Sequence, residues 1–545
     1  MEKDYRTASG KFWQTVRHLR RGKQLSAITV YGGSGELLVS TGDIVGRWKE
    51  YFEDLLNPTD TPSVEEPETE DTEVESFITQ AEVTEVVQQL LGGKAPGVDE
   101  IRPEYLKSLD VVGLSWLTRG SHSSASQGKS YSRVLERRVR PLVEPRIQEE
   151  QCGFRPCCGT LDQLYTLHRV LEGSWEFAQP VHMCFVDLEK AFNRVSRGIL
   201  WEVLWEYGVR GPLLRAVRSL YNRSRSLGHI ASCKSDLFPV HVGLRQGCPL
   251  SPVLFIVFMD RVSRRSQGPE GVRFGDHRIS SLIFADDVVL LAPSSLDLQH
   301  ALGHFAAECE AAGMRVSTSK SEAMVLDRKK VACTLQVGGE VLTQVEEFKY
   351  LGVLFTSEGR MDHEIDRRIG AAAAVMRSMY RPVVVKKKLS RKAKLSIYQS
   401  IYVPTLTYGH ELWVMTERVR SRIQAAEISF LRRVAGRSLR DRVRSSVTRV
   451  ELGVEPLLLH IERGQLRRLW HLFRMPPGCL PGEVFWACPT GKRPRGRPRT
   501  RWRDYVSRLA WERLGVPPEE LEEVSGEREV WASLLRLLPP RPGSR

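Results

Sequence analysis

Asp286 and Asp287 lie side by side in an otherwise apolar run, Ser281–Ala292, and no other feature constrains the chain as much. Leu282, Ile283 and Phe284 precede the pair, and Val288, Val289, Leu290 and Leu291 follow it. Such β-branched and apolar flanks predict a hairpin of two buried strands with the acids at its turn. Two like charges about 4 Å apart repel by roughly 4 kcal/mol at an effective dielectric of 20, and desolvation adds to that. A divalent cation would reverse the sign of the problem. The alternative is an ordinary turn, where aspartate is common, and this stretch alone leaves both readings open.

The rest of the chain narrows the choice. Its 545 residues are 41% hydrophobic and 27% charged, ordinary for a globular protein, but a formal net charge of +14 favours a polyanionic partner. Nucleic acid fits that excess better than an anionic membrane does. The longest apolar run, Pro252–Met259, falls far short of the roughly 18 residues that span a bilayer. The N-terminus has no apolar signal region, so the expected location is intracellular, in cytoplasm and nucleus, with no membrane partner. In that setting the ten cysteines are expected as thiols; Cys152, Cys157 and Cys158 cluster without a second pair at zinc spacing and read as structural.

Along the chain, residues 1–57 form an N-terminal region with a basic amphipathic stretch at Lys11–Arg21 and a hairpin around Gly32–Gly35. A helix follows, carrying Trp48, Tyr51, Phe52, Leu55 and Leu56. Residues 58–78 are acidic and rich in Pro and Thr, a solvated linker. From Thr79 an amphipathic helix runs to Gly92-Gly93, and Lys94–Asp99 makes a basic loop before a helix from Pro103. The Ser/Gly-rich Arg119–Lys129 interrupts the pattern. Helices are expected over Tyr131–Val143, Leu161–Leu171, Ile199–Tyr207, Leu213–Tyr221 and from Pro252 through Met259. Strands are expected at Val181–Val186, around Leu227–Ser232 and Phe238–Val242, at Ala323–Leu326 and over Phe348–Phe355. Beyond Asp362 the pattern is helical to about Arg433, then basic and Pro-rich. Strands alternating with helices indicate an α/β or α+β core followed by an α-helical module.

Asp187 ends the strand Val181–Val186. A strand ending in one carboxylate beside a hairpin bearing two more makes an oxygen-rich pocket of the kind Mg2+ favours. Two such ions would activate an attacking hydroxyl and stabilise a leaving pyrophosphate. The competing reading makes Asp187 the cap of the next helix.

Four ordered motifs then carry a resemblance. Val186–Phe192, Gly243–Pro252, Phe284–Asp287 and Phe348–Gly352 resemble motifs A, B, C and E of the reverse transcriptases of non-LTR (LINE-type) retrotransposons, and Lys94–Asp99 resembles the loop that opens the fingers there. The resemblance implies an α+β fold, a right-hand polymerase palm of a small antiparallel sheet backed by helices. It implies fingers and palm over 79–356, a helical thumb over 357–440 and a basic C-terminal region over 441–545. It makes Asp187, Asp286 and Asp287 catalytic metal ligands for two Mg2+ ions, with Mn2+ as the alternative. Phe192 would exclude a ribose 2′-OH, against the plainer reading of a core phenylalanine. Gln246 and Gly247 would contact the nucleotide, Arg245 a phosphate, and Lys320 would protonate pyrophosphate. Tyr350, Leu351 and Gly352 would grip the primer, and Lys386, Lys387, Lys388, Lys392 and Lys394 would track a nucleic-acid backbone. The implied partners are an RNA template, a DNA primer or target, and dNTPs, with no obligate protein partner.

The sequence departs from this pattern in three ways. Gly120–Gly128 stands where the family has a basic β-hairpin that neutralises the triphosphate, Asn193 stands where aspartate is usual, and an endonuclease upstream of Met1 is expected to be missing. The expectation is a truncated copy lacking the endonuclease and part of the fingers. At the other end, seven of thirteen residues in Gly491–Arg503 are basic. Arg495-Gly496-Arg497-Pro498 has the form of an AT-hook core, which makes Arg495, Arg497 and Arg499 candidates for nucleic-acid contact. His460, His471, Cys479 and Cys488 are spaced too loosely to read as a zinc site. Two functions are carried forward: an RNA-directed DNA polymerase, and a catalytically silent nucleic-acid-binding remnant of one.

Overall fold

The computed structural model describes residues 30–58, 79–90, 92, 102–119, 125–222, 224–227, 229–230, 233–380, 384, 389–496 and 498–539. Expectations for Lys11–Arg21, 59–78, Lys94–Asp99, Gly120–Ser124, Lys386–Lys388 and Arg497 fall outside those residues. The chain divides into two compact units, one of Met1–Cys157, Asp187–Gln267 and Gly303–Ser317, the other of Cys158–Val186, Gly268–Leu302 and Thr318–Arg545. No helix among the described residues is long and apolar enough to cross a membrane.

The second unit is built on a five-stranded sheet. Its strands are β1 (Val181–Val186), β2 (Ser281–Phe284), β3 (Asp287–Ala292), β4 (Glu322–Leu326) and β5 (Thr343–Gln344), in the order β2–β3–β1–β4–β5. Every residue of β1 is buried, as a strand covered on both faces requires. Only β4 and β5 run parallel; the other neighbours are antiparallel. Helix α1 (Thr160–Phe177) backs the sheet: Leu164, Tyr165, Leu167, Val170 and Leu171 are buried with Met183, Phe185, Val289 and Leu291 in one apolar core. Each such side chain contributes about 1.5–3 kcal/mol on full burial. That core runs on into the helices α2 (Asp362–Met379), α3 (Leu457–Phe473) and α4 (Trp502–Leu514). Trp502 is fully buried, its ring 5.1 Å from that of Tyr165.

Phe348–Phe355, read as one strand, is a hairpin of β6 (Glu347–Tyr350) and β7 (Val353–Thr356). Leu351 and Gly352 both take positive φ, +44° and +86°, and turn the chain back. Phe348 stacks on Phe185 of β1 with ring centroids 3.7 Å apart.

The first unit is mainly helical among its described residues. Thr79 caps helix Gln80–Gln88 in a capping box with Glu82. Arg138 forks that same carboxylate at 2.8 and 2.7 Å, and its hydrogen bonds hold Glu82 down at about 2. The helix expected from Tyr131 begins earlier: Ala125–Val143 is one helix, so helical backbone replaces the Ser/Gly-rich interruption from Ala125 onward. Expected strands over Leu227–Ser232 and Phe238–Val242 reduce to two-residue pairs such as Arg225–Ser226 with Phe238–Pro239. On helix Thr41–Leu56 the buried residues are Ile44 and Val45, whereas the expected Tyr51 and Phe52 are exposed and pack edge to edge. Helix Ser251–Ser266 runs past its expected end at Met259, with Asp260 fully buried. That carboxylate accepts from the Gln148 backbone N–H, the Tyr207 hydroxyl and Arg264.

Candidate active site

In the second unit the predicted hairpin forms, with Asp286 in its turn and Asp287 opening β3. Phe284 pairs with Asp287, leaving Ala285 and Asp286 as the two turn residues. Ala285 is buried with φ +61°, a left-handed conformation that glycine usually supplies and that costs an alanine roughly 1–2 kcal/mol. Asp286 and Asp287 are exposed. Val288, next to Asp287, pairs with Val186 across β3 and β1.

In the first unit Asp187 is half-buried, and its carbonyl accepts from the Ser317 N–H at 2.8 Å. It does not cap the next helix. Lys190, with φ +49°, occupies the N-cap of Ala191–Arg194, which removes the plainer reading of Asp187. Phe192, half-buried, stacks on Phe255 at 4.1 Å and meets Phe154 edge-on at 6.4 Å. The loop that bears Gln246 locks onto this segment. Gly243 N–H donates to Val195 O and Leu244 N–H to Phe192 O, both at 2.9 Å. A Cβ on Gly243 (φ +78°) would come within 2.7 Å of Asn193 O, so only glycine fits. Gln246 and Gly247 lie exposed at the loop, with Gly247 at φ +78°, while Arg245 donates to Leu220 O at 3.3 Å.

Lys320 is exposed, just before β4. The turn at Tyr350–Gly352 is clamped by residues the sequence did not flag. Tyr408 OH donates to Leu351 O at 2.8 Å, and Arg367 Nη2 donates to Gly352 O at 2.7 Å, joined there by Arg368. Glu364, fully buried, accepts from both arginines and from the Leu354 N–H at 2.9 Å. The i, i+3 and i, i+4 spacing of Glu364 to Arg367 and Arg368 was the available signal.

Near the C-terminus, Arg495 is exposed, and Arg499 lies 4.1 Å over the Trp175 ring and donates to Glu358 O. Lys394 donates to Val384 O at 2.7 Å and Lys392 is exposed. His460 faces His410, while His471 lies 3.4 Å from Asp162, so the loose His/Cys set is not gathered. None of the ten cysteines, all among the described residues, is in a disulfide; of the cluster, Cys152 is buried and Cys157 exposed. Among the described residues no group of three or more His, Cys, Asp or Glu side chains is placed to hold a metal ion. The fit of Asp187, Asp286 and Asp287 to divalent ions therefore rests on their donor chemistry.

Residues 119–355 match the family model described as reverse transcriptase (RNA-dependent DNA polymerase). The chain is 26% identical, over 50% of its length and 27% of the relative's, to the Pol polyprotein of the type-2 retrotransposable element R2DM of Drosophila melanogaster. It is 24% identical to the RNA-directed DNA polymerase from mobile element jockey of the same organism, over 57% of this chain and 35% of the relative. A transposon-derived protein of Caenorhabditis elegans is 26% identical over 49% of this chain and 98% of its own length. The chain spans about a quarter of the length of three R2 polyproteins it matches and 39% of a fourth. A telomerase from Candida albicans aligns over 80% of this chain and 59% of its own, at 12% identity and a TM-score of 0.35, a level that carries no argument about fold. Residues 119–355 thus resemble a reverse transcriptase domain, and the chain is similar over about half its length to proteins of the R2 and jockey retrotransposable elements.

Proposed function

We propose that the chain is an RNA-directed DNA polymerase that extends a DNA primer with dNTPs on an RNA template, acting in cytoplasm and nucleus. What supports this is the reverse transcriptase family match over residues 119–355, together with the acidic pair Asp286-Asp287 at the β2–β3 hairpin. A strained turn without glycine supports it, because such strain persists where function requires it. Asp187, Asp286 and Asp287 hold the divalent ions, two Mg2+ or alternatively Mn2+. When bound, those ions lower the pKa of the primer 3′-hydroxyl and offset charge on the leaving pyrophosphate. Phe192, braced by Phe255, blocks a 2′-hydroxyl. Gln246 and Gly247 border the nucleotide, and Lys320 delivers a proton to pyrophosphate. Tyr350, Leu351 and Gly352 hold the primer end on a turn fixed by Tyr408, Arg367 and Arg368. In this reading 79–356 are fingers and palm, 357–440 the thumb, and 441–545 a basic region in which Arg495, Arg497 and Arg499 contact nucleic acid.

One observation favours the silent remnant instead. Helix Ala125–Val143 occupies part of the place expected for the basic finger hairpin. Two missing contacts at about 1.5–3 kcal/mol each weaken nucleotide binding by a few orders of magnitude. Primer extension by the purified chain, with Asp286→Asn as control, separates the two. Mg2+-dependent extension that the substitution abolishes supports the polymerase; salt-sensitive RNA binding without extension supports the remnant.

A further inference from the structure

The second unit contains a cavity of about 730 Å3 lined by α1 and by residues of the 493–501 segment, outside the aspartate hairpin. Six arginines line it against three carboxylates, Glu172, Glu176 and Asp362. Those carboxylates leave much of the positive charge unmatched. Glu176 takes both Arg493 and Arg501, at 3.0 and 2.5 Å. Glu172 is engaged by Arg169 and by the Trp502 backbone N–H. Arg499 and Arg328 rest on neutral groups: Arg499 on the Trp175 ring and Glu358 O, Arg328 on Trp175 O at 3.2 Å. Arg360 has only a loose, exposed pairing with Glu358 at 3.4 Å, and Arg495 has no partner among the described residues. Burial above all, with Arg360 and Arg328 adding to it, pushes the Arg499 guanidinium down to about 10. In the same cavity wall His168 is 6% exposed, and its Nε2 has no hydrogen-bond partner among the described residues. Burial keeps that imidazole neutral, its pKa down at about 4.

We propose that this cavity receives a phosphate group, with Arg328, Arg360, Arg495 and Arg499 as its cationic wall and His168 Nε2 as an uncharged polar contact. A phosphate supplies the missing negative charge and accepts from several guanidinium forks at once. Its source is a backbone phosphate of a nucleic-acid strand or a free compound such as pyrophosphate. Only the choice of a strand rests on the polymerase reading.

The test is binding of a short fluorescein-labelled single-stranded RNA to the full chain, by anisotropy over a salt series, in EDTA and without dNTPs. The parent is compared with Arg360→Glu/Arg495→Glu, the milder Arg360→Gln/Arg495→Gln, and the exposed Arg528→Glu as control. Loss of two phosphate contacts makes the slope of log K against log salt shallower by about 1.4, at about 0.7 per contact for a single strand. Affinity at fixed salt then falls at least about tenfold, and Arg528→Glu leaves the slope unchanged. A shallower slope in both double variants assigns the site to the strand. An unchanged slope with pyrophosphate binding lost in both double variants assigns it to free phosphates. RNA slopes and pyrophosphate binding both equal to the parent's overturn the proposal. Because no metal or dNTP is present, a chain that cannot extend primers still yields this result, and the two ideas fail separately.

Discussion

Replacing Glu364 by glutamine tests whether the turn at Leu351–Gly352 is held from α2. Glu364 is fully buried and accepts three charge-assisted bonds from Arg367 and Arg368 at 2.5–2.9 Å, plus the Leu354 N–H. Those arginines in turn donate to Gly352 O. Glutamine keeps the shape and removes the charge, so two guanidiniums lose their counter-ion. Breaking a buried charged network costs about 3–5 kcal/mol. The Arg367 side chain is 31% exposed and water relieves part of this, so the lower end, about 3 kcal/mol, applies. At about 1.4 kcal/mol per decade, local opening of β6–β7 rises roughly a hundredfold. Hydrogen exchange read by mass spectrometry over residues 347–356 is the assay, with β1 as internal reference. Protection in 347–356 that changes less than threefold, or that falls equally in β1, refutes the reasoning.

Other outcomes follow from the same geometry. Phe192→Val opens the space beside Phe255 and is expected to raise ribonucleotide relative to deoxynucleotide incorporation by about 10–200-fold; an unchanged ratio in single-nucleotide extension makes Phe192 a packing residue only. Burial pulls the Asp162 carboxyl up, but His471, Arg468 and the Gly159 N–H outweigh it and hold it at about 2. A depressed carboxylate stabilises the fold above its unfolded pKa and loses that stability as pH falls through about 4 to about 2, here about 2 kcal/mol. Asp162→Asn should therefore flatten the loss of urea stability in that window. Ala285→Gly relieves the left-handed strain and should raise stability by about 1 kcal/mol in urea unfolding if glycine's extra unfolded entropy is the smaller term.

Local pattern carried much of the sheet. The run Val181–Val186, apolar apart from His182, marked β1 at its full bounds, and the flanks of Asp286-Asp287 marked the hairpin. Phe348–Phe355 misled because apolar residues continue through Leu351-Gly352. The turn is set by Tyr408, Arg367 and Arg368, which lie later in the chain. Trp502 sat in a run of arginines that reads as a nucleic-acid contact. It is buried because Glu172 and Glu176 of α1 bind Trp502 N–H and Arg501, partners that no local pattern reveals. The candidate site was legible as a set of residue types. Its supports, Glu364 above all, were not, since a carboxylate beside two arginines on a helix ordinarily faces water.

Iron-directed cleavage tests the central claim most directly. Fe2+ replaces Mg2+ in the purified chain, ascorbate and peroxide generate hydroxyl radicals at the bound ion, and mass spectrometry maps the cuts. Cuts around residue 187 and around residues 286–287 in the same sample, both lost in Asp286→Asn and competed by Mg2+, are the predicted result. Cuts at one of these segments alone, or a pattern that Asp286→Asn leaves intact, contradict the account.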